Sequence, residues 1–299
     1  MSTLTLFFAL IEGLFLVGFL LILRLHLQQK GTAESRRRLW IKYAWYLGIV
    51  NFFLLLTFWG YPYFHLGLGA IIFLGLREFF RALRHKGLEA YATFGLCLGL
   101  GVFVSSIFLT PAWFYPVVVI LLLLVFVRPF FSGNPEQAVQ KTGLTILAVW
   151  YVSVLTSHTM FIYQAPSGPF IVAFLYTVLA INDGFAELLG RLAGSRPLCP
   201  AISPGKTVGG AVGGLLAALA GSLVFSFLLQ GIPLYLCLLA GVLIGVAGQT
   251  GDLVSSALKR DLGLKDFSQL FPGHGGVLDR FDSLIFTAPI FYGFLKLVS

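Results

Sequence analysis

The chain is short of charge, and shorter still of negative charge. Only 11% of its 299 residues are Asp, Glu, Lys or Arg, and just 12 are acidic. A soluble domain carries roughly a quarter charged residues. This chain cannot cover itself with a hydrated surface, which excludes an ordinary water-soluble fold. Cysteine is scarce as well. Cys97, Cys199 and Cys237 share no metal-ligand spacing, which argues against a zinc module or a disulfide framework. No internal repeat and no long polar linker stands out. The first apolar run, Leu4 to Leu27, lacks a basic leader and is long enough to span, so it reads as a retained helix.

What is present is hydrocarbon. Hydrophobic residues make up 58% of the chain, with 30 Phe, 11 Tyr and 5 Trp, and the mean hydropathy is +0.92. At ~20 residues per crossing, the length allows about ten spans with short connections. Apolar runs bounded by Pro, Gly or charge fall at 4–27, 39–59, 62–82, 89–109, 112–130, 142–163, 169–192, 208–229, 233–255 and 281–298. The expected fold is all-α: a polytopic transmembrane helical bundle of about ten spans, its N-terminus outside. In the eighth and ninth spans, Gly209/Gly213, Gly210/Gly214 and Gly241/Gly245 are GxxxG pairs that suit close helix packing.

The basic residues support that division. With the N-terminus outside, one face collects Arg24, Lys30, Arg36, Arg37, Arg38, Lys42, Arg77, Arg81, Arg84, Lys86, Arg128, Lys141, Arg191, Arg196, Lys206, Lys259, Arg260, Lys265 and Arg280. Only Lys296 falls on the other side. The positive-inside tendency makes the rich face cytoplasmic. The net charge of +8 therefore reads as topology and attraction to anionic headgroups. It does not read as nucleic-acid binding.

The few acids are informative by position. Glu12 and Glu78, the latter beside Arg77 and Arg81, read as interfacial ion pairs near helix ends. Asp183, Glu187, Asp252, Asp279 and Asp282 all lie in the last 120 residues. Ionisable groups within spans cost at least ~2.5–3.5 kcal/mol on insertion scales and are functional candidates by default. Asp183, Glu187 and Arg191 share one helical face, either as a self-neutralising packed ladder or as part of a site. Asp252 ends the ninth span, and a continuing helix puts Lys259 two turns on along the same face. Asp279 and Asp282 are i, i+3 neighbours entering the tenth helix, after a turn containing Gly273, His274, Gly275 and Gly276.

Hard oxygen ligands without a Cys or His cluster suit magnesium, which takes one or two carboxylates plus substrate phosphates. Lys and Arg would hold phosphate oxygens, and the glycines would let backbone N–H groups approach an anion. Together these are the parts of phosphoryl or nucleotidyl transfer. Ser203-Pro204-Gly205-Lys206-Thr207 ends like a P-loop, but Pro200 stands where that motif needs its first Gly, and the segment lies between spans. An ATPase reading is rejected.

Ser256-x-Leu258-Lys259-Arg260, Lys265-Asp266, Pro272-x-His274-Gly275-Gly276 and Asp279-Arg280-Phe281-Asp282 together resemble the signature of the phosphatidate cytidylyltransferases, also called CDP-diacylglycerol synthases. Asn182-Asp183, Ser203-Pro204-x-Lys206-Thr207 and Gly251-Asp252 follow in that family's order. The resemblance implies magnesium-dependent transfer of CMP from CTP to phosphatidic acid, in an integral protein of the inner (cytoplasmic) membrane that forms a homodimer. Its site would face the cytoplasm. By the match, Asp252, Asp279, Lys259 and Asp282 are the catalytic group. Asp252 and Asp279 lead as metal ligands, with Asp282 and Asp183 supporting, for magnesium alone or with a second cation. Asn182, Asp183, Ser203, Lys206, Thr207, Arg260, Lys265, His274, Gly275, Gly276 and Arg280 would bind substrate.

Some positions depart from the family pattern. Gly205, Val208 and Gly209 replace a Lys, a Trp and a Glu, and Ser255 stands where a Glu is common. A different lipid phosphate, polyprenyl or ether, is therefore the alternative acceptor, and an ion or proton transporter is the alternative class. Residues 1–163 are expected to form a lipid-exposed frame and 164–299 the catalytic region, with the signature at 256–282.

Overall fold

The computed structural model describes residues 2–28, 32–133, 135–193, 196–271 and 275–298. The order is α1 (Thr3–Leu27), α2 (Ala33–Trp59), α3 (Tyr63–His85), α4 (Ala92–Phe108), α5 (Pro111–Ser132), α6 (Ala138–Gln164), α7 (Gly168–Ala193), β1 (Pro197–Cys199), β2 (Ser203–Thr207), α8 (Val208–Val224), α9 (Leu234–Asp261) and α10 (Leu278–Val298). Within α6 the turns widen over Val149–Val154. The expectation of an all-helical membrane bundle holds, and each helix covers one expected apolar run.

Seven of these helices are long and apolar enough to cross a bilayer. The other three explain the gap from ten. Helices α4 and α8 have 17 residues each, or about 25 Å at 1.5 Å per residue, slightly short of the ~30 Å hydrocarbon core. Helix α3 is apolar up to Leu76 and then turns polar with Arg77, Glu78, Arg81, Arg84 and His85.

The basic residues sit where alternating helices share an end. They close α1, α3, α5, α7 and α9 (Arg24, Arg84, Arg128, Arg191, Arg260) and open α2, α6 and α10 (Arg36, Lys141, Arg280).

Phe and Leu side chains fill the main core between α2, α3, α7 and α10, including Phe53, Phe64, Phe79, Phe174 and Phe291. A second core joins α4, α5 and α6 around Val102, Phe114 and Val149. Glycines bring the last four helices closest together. A Cβ on Gly214 of α8 would lie 2.9 Å from the Asn182 carbonyl oxygen of α7. On Gly210 it would lie 2.6 Å from the Ala186 carbonyl, and on Gly241 of α9 3.1 Å from the Ala218 carbonyl. Only hydrogen fits at such approaches, so these glycines serve packing as expected.

One element departs from the all-helical reading. Segment 203–207, expected as a loop, pairs antiparallel with Pro197–Cys199 as a short hairpin, with Pro197 opposite Thr207 and Cys199 opposite Ser203. Apolar periodicity cannot reveal such a piece, because two strands this short bury almost nothing.

Candidate active site

Helices α7, α8, α9 and α10 place the predicted residues around one end of the bundle. At Gly251 a Cβ would meet the Asp282 carbonyl oxygen at 3.0 Å and Phe286 Cβ at 2.6 Å. The missing side chain thus lets α9 touch α10 at the level of Asp252 and Asp282. Asp183, from α7, and Asp282 each feel the charge of Asp252. Three carboxylates from three helices therefore share one neighbourhood.

Asn182, fully buried, does more than mark the motif. Its Oδ1 accepts from Gln249 Nε2 at 3.0 Å, and its Nδ2 donates to Asp183 Oδ1 at 3.0 Å. Gln249 Nε2 also donates to the Ala211 carbonyl at 2.9 Å. One amide group thereby ties α9 to α7 and α8 and holds the partner that orients Asp183. The sequence reading missed Gln249, whose only signal was an amide inside an otherwise apolar span.

The cations differ in how far they are already neutralised. Lys206, on β2, pairs with Asp252 Oδ2 at 2.6 Å, an ion pair without hydrogen-bond alignment. Lys259 pairs with Asp279 Oδ1 at 2.7 Å, the two side chains only 10% and 2% exposed. Helix α9 does continue through Lys259, as expected, yet Lys259 turns to α10 and leaves Asp252 to Lys206. Arg260 donates to the Ile202 and Leu264 carbonyls, each at 3.1 Å. This fixes the hairpin while leaving its charge uncompensated. Arg280 lies within electrostatic reach of Asp183, and its buried Nε has no hydrogen-bond partner among the described residues.

Asp279 is held by several donors. Besides Lys259, its Oδ2 accepts from the Phe267 and Gly276 backbone N–H groups, each at 2.8 Å. Both oxygens are occupied. The carboxylate therefore clasps the α9–α10 loop. A Cβ on Gly275, at φ +79°, would sit 2.6 Å from that same Oδ2. Glycine serves here as clearance for the carboxylate.

Glu78 was expected to make an interfacial ion pair near a helix end, and among the described residues it makes none. It is buried. Its Oε1 accepts from Ser268 Oγ at 2.6 Å and Val277 N at 3.0 Å, and its Oε2 from Leu278 N at 2.8 Å. Free N–H groups open every helix and attract carboxylates. Here the capping group comes from α3, 200 positions away. A Cβ on Gly276 would collide with this carboxylate. The first six helices are thus more than a frame, since α3 fixes the start of the helix that carries Asp279 and Asp282. The signal in the sequence was an acid within an apolar helix, read too readily as satisfied by the arginines beside it.

The remaining predicted residues fall at the margin. Thr207 caps α8, its Oγ1 accepting from Gly210 N at 3.1 Å, and Ser203 opens β2. Lys265 is exposed on the loop. His274 lies outside the described residues. Of the suggested acid–base ladder, Glu187 pairs with Arg191 and, at 3.3 Å, with Lys42 of α2. Asp183 instead bonds to Asn182. Glu12 is exposed on α1.

The fit to a metal can be judged from the donors. Among the described residues no three His, Cys, Asp or Glu side chains close on a single metal-sized point. A hard divalent cation needs no such cage, because it accepts one or two carboxylates and completes its shell with phosphate oxygens and water. Asp282 is buried, and its Oδ1 accepts from the Ser283 N–H at 2.7 Å. Beside it, Ser255 Oγ and the Tyr151 hydroxyl are buried without a well-aligned partner among the described residues. A buried carboxylate with hydroxyl oxygens beside it fits such a cation.

Fold and site together define a helical integral membrane protein with a mixed carboxylate and cation centre of the kind that handles phosphorylated ligands. More particularly, the chain belongs to the Cytidylyltransferase family, whose sequence profile matches residues 40–298. It is 39% identical over 170 residues to Escherichia coli (strain K12) protein YnbB, covering 55% of this chain and 57% of that one. It is 40% identical over 147 residues to a phosphatidate cytidylyltransferase of Staphylococcus saprophyticus, covering 48% and 55%. To the phosphatidate cytidylyltransferase of Bacillus subtilis (strain 168) it is 32% identical over 243 residues, covering 76% and 87%. The chain thus spans little more than half of the first two relatives and most of the third.

Proposed function

We propose that the protein transfers CMP from CTP to phosphatidic acid, giving CDP-diacylglycerol and pyrophosphate, at the cytoplasmic side of the inner membrane. The observation that carries this reading is the meeting of Asp183, Asp252 and Asp282 with Lys206, Lys259 and Arg280 at one end of α7–α10. The Bacillus and Staphylococcus relatives bear the name of that activity. The end concerned is also the one where the basic residues gather, which is where CTP and a lipid headgroup would meet.

The chemistry asks little of a general base. A phosphate monoester is largely ionised near neutral pH, so its oxygen is already a nucleophile. That oxygen forms a bond to the α-phosphorus of CTP as the α–β bond breaks, and pyrophosphate leaves with the electron pair. The difficulty lies in bringing two polyanions together. Arg280 and Arg260 supply fixed positive charge for the phosphates. Lys206 exchanges Asp252 for a nucleotide oxygen. Asp252 and Asp279 would lead in holding magnesium, alone or with a second cation, with Asp282 and Asp183 supporting. Bound there, it supplies Lewis-acid neutralisation of phosphate charge. Lys259, paired with Asp279, adds a further cation beside the carboxylates. The homodimer implied by the resemblance belongs to the same proposal, and light scattering in detergent checks it.

The test is turnover by purified protein given labelled CTP and phosphatidic acid, with and without magnesium. The expected result is magnesium-dependent CDP-diacylglycerol, reduced by roughly 10²–10³-fold in Asp282→Asn, the scale on which losing one preorganised electrostatic partner slows an enzyme. Unchanged turnover in that variant overturns the site. A polyprenyl phosphate supplied in parallel decides the acceptor.

A further inference from the structure

Between α3 and the α9–α10 loop lies a cavity of about 300 Å³, lined by Leu74, Arg77, Glu78, Arg81 and Ser268–Leu270. We propose that it is a second phosphate site, built for the headgroup of an anionic membrane lipid and separate from the carboxylate centre.

Its chemistry is that of an anion receptor. Arg77 and Arg81 are i, i+4 neighbours on one face of α3. Neither has an ion-pair or hydrogen-bond partner among the described residues. Glu78 is the lining's one carboxylate, and it is turned inward onto Ser268, Val277 and Leu278. Even counting its charge, the cavity keeps a net positive charge. Two planar guanidinium forks match phosphate oxygens in a way a scatter of lysines does not.

The walls point to a lipid. Leu74 and Leu270 line the same space, and Leu270 and Phe73 are exposed large hydrophobics at its edge. Phe73 precedes Arg77 by one turn on the same helical face. An acyl stem can lie along these side chains while the phosphate sits on the arginines at the level where α3 turns from apolar to charged. The Gly276 peptide separates this cavity from the clasp, with its N–H on Asp279 and its Cα against Glu78. A lipid seated here rests on Ser268–Leu270 and braces the start of α10 from the side opposite the carboxylates.

The proposal does not depend on the cytidylyltransferase reading, and its experiment measures binding without turnover. Full-length protein in a neutral detergent is titrated with phosphatidylglycerol, and the bound lipid is counted by native mass spectrometry. One lipid is expected to bind selectively over phosphatidylcholine. The double variant Arg77→Gln/Arg81→Gln should weaken binding by about 30-fold, the scale of two lost cationic partners. Arg84→Gln/Lys86→Gln removes the same charge one turn outside the cavity and should leave affinity within about threefold. Equal losses in the two variants would reduce the effect to diffuse attraction and overturn the site. Displacement of the lipid by millimolar inorganic phosphate would overturn the lipid assignment in favour of a free anion. Binding that survives the Arg77/Arg81 change overturns the proposal altogether.

Discussion

Lys259 and Asp279 face each other at 2.7 Å across the α9–α10 junction, both nearly closed off from solvent. The carboxylate's second oxygen holds the Phe267 and Gly276 N–H groups. The pair therefore does two things: it neutralises a lysine inside the protein and folds the loop between two helices. Deleting one member of a buried pair strands the other and costs about 3–5 kcal/mol, whereas an apolar replacement of both leaves no stranded charge and only the Phe267 and Gly276 N–H groups unpartnered, at about 1–3 kcal/mol each. Thermal unfolding in detergent should show Lys259→Met and Asp279→Leu each strongly destabilised. The double variant should be well above the sum of the two losses. Additive losses would mean the two residues act separately.

Asp282 should behave in the opposite way. It is buried, carries no ion-pair partner within 4 Å among the described residues, and feels repulsion from Asp252 and Asp183 against attraction from Lys259. Replacing it with Asn removes a desolvated, repelled charge. The variant should lose most of its turnover yet be at least as stable as the parent protein without magnesium. Added magnesium should raise the unfolding temperature of the parent and not of Asp282→Asn, since a ligand stabilises only the state it binds. Equal shifts in both proteins would place the cation elsewhere.

Glu78 offers a test of reach. Its carboxylate satisfies three donors on the far side of the sequence. Glu78→Ala leaves Val277 and Leu278 N–H groups buried without partners, at about 1–3 kcal/mol each. Glu78→Gln keeps one acceptor oxygen and should lie between Ala and the parent in unfolding temperature. Hydrogen exchange at the start of α10 should quicken in the same order. Exchange that stays at the parent rate in Glu78→Ala would show that the loop holds without it.

Gly251→Ala probes the helix contact under the site. The new methyl group would fall 2.6 Å from Phe286 Cβ and 3.0 Å from the Asp282 carbonyl. Overpacking of this kind typically costs about 1–3 kcal/mol. Because it pushes Asp252 away from Asp282, turnover should fall more steeply than stability does. A loss of stability with normal kcat would detach the carboxylates from this contact.

Much of this molecule was legible in its sequence, and the reason is physical. A bilayer demands long apolar helices, so hydropathy and the placement of nineteen cations traced ten elements with little ambiguity. The rare intramembrane acids pointed at α7, α9 and α10 because each is costly there. The missed features have a different character. The hairpin at Pro197–Cys199 and Ser203–Thr207 is too short to leave a periodic signature. Glu78 was misread, and the clasp made by Asp279 went unseen, because their partners include backbone N–H groups, which every residue but proline carries and no sequence pattern marks. Gln249 escaped because its partners become neighbours only once α7, α8 and α9 have packed.

The bond from Glu78 to the start of α10 has a bearing on biogenesis. Helix α3 emerges from the ribosome and enters the membrane long before Val277 and Leu278 have been made. Until α10 is made, that carboxylate waits with its eventual donors untranslated. The centre can form only when the last helix arrives and docks onto the third. A prematurely terminated chain would then carry an unsatisfied acid in its interior, a plain mark by which membrane proteases could tell it from the finished enzyme.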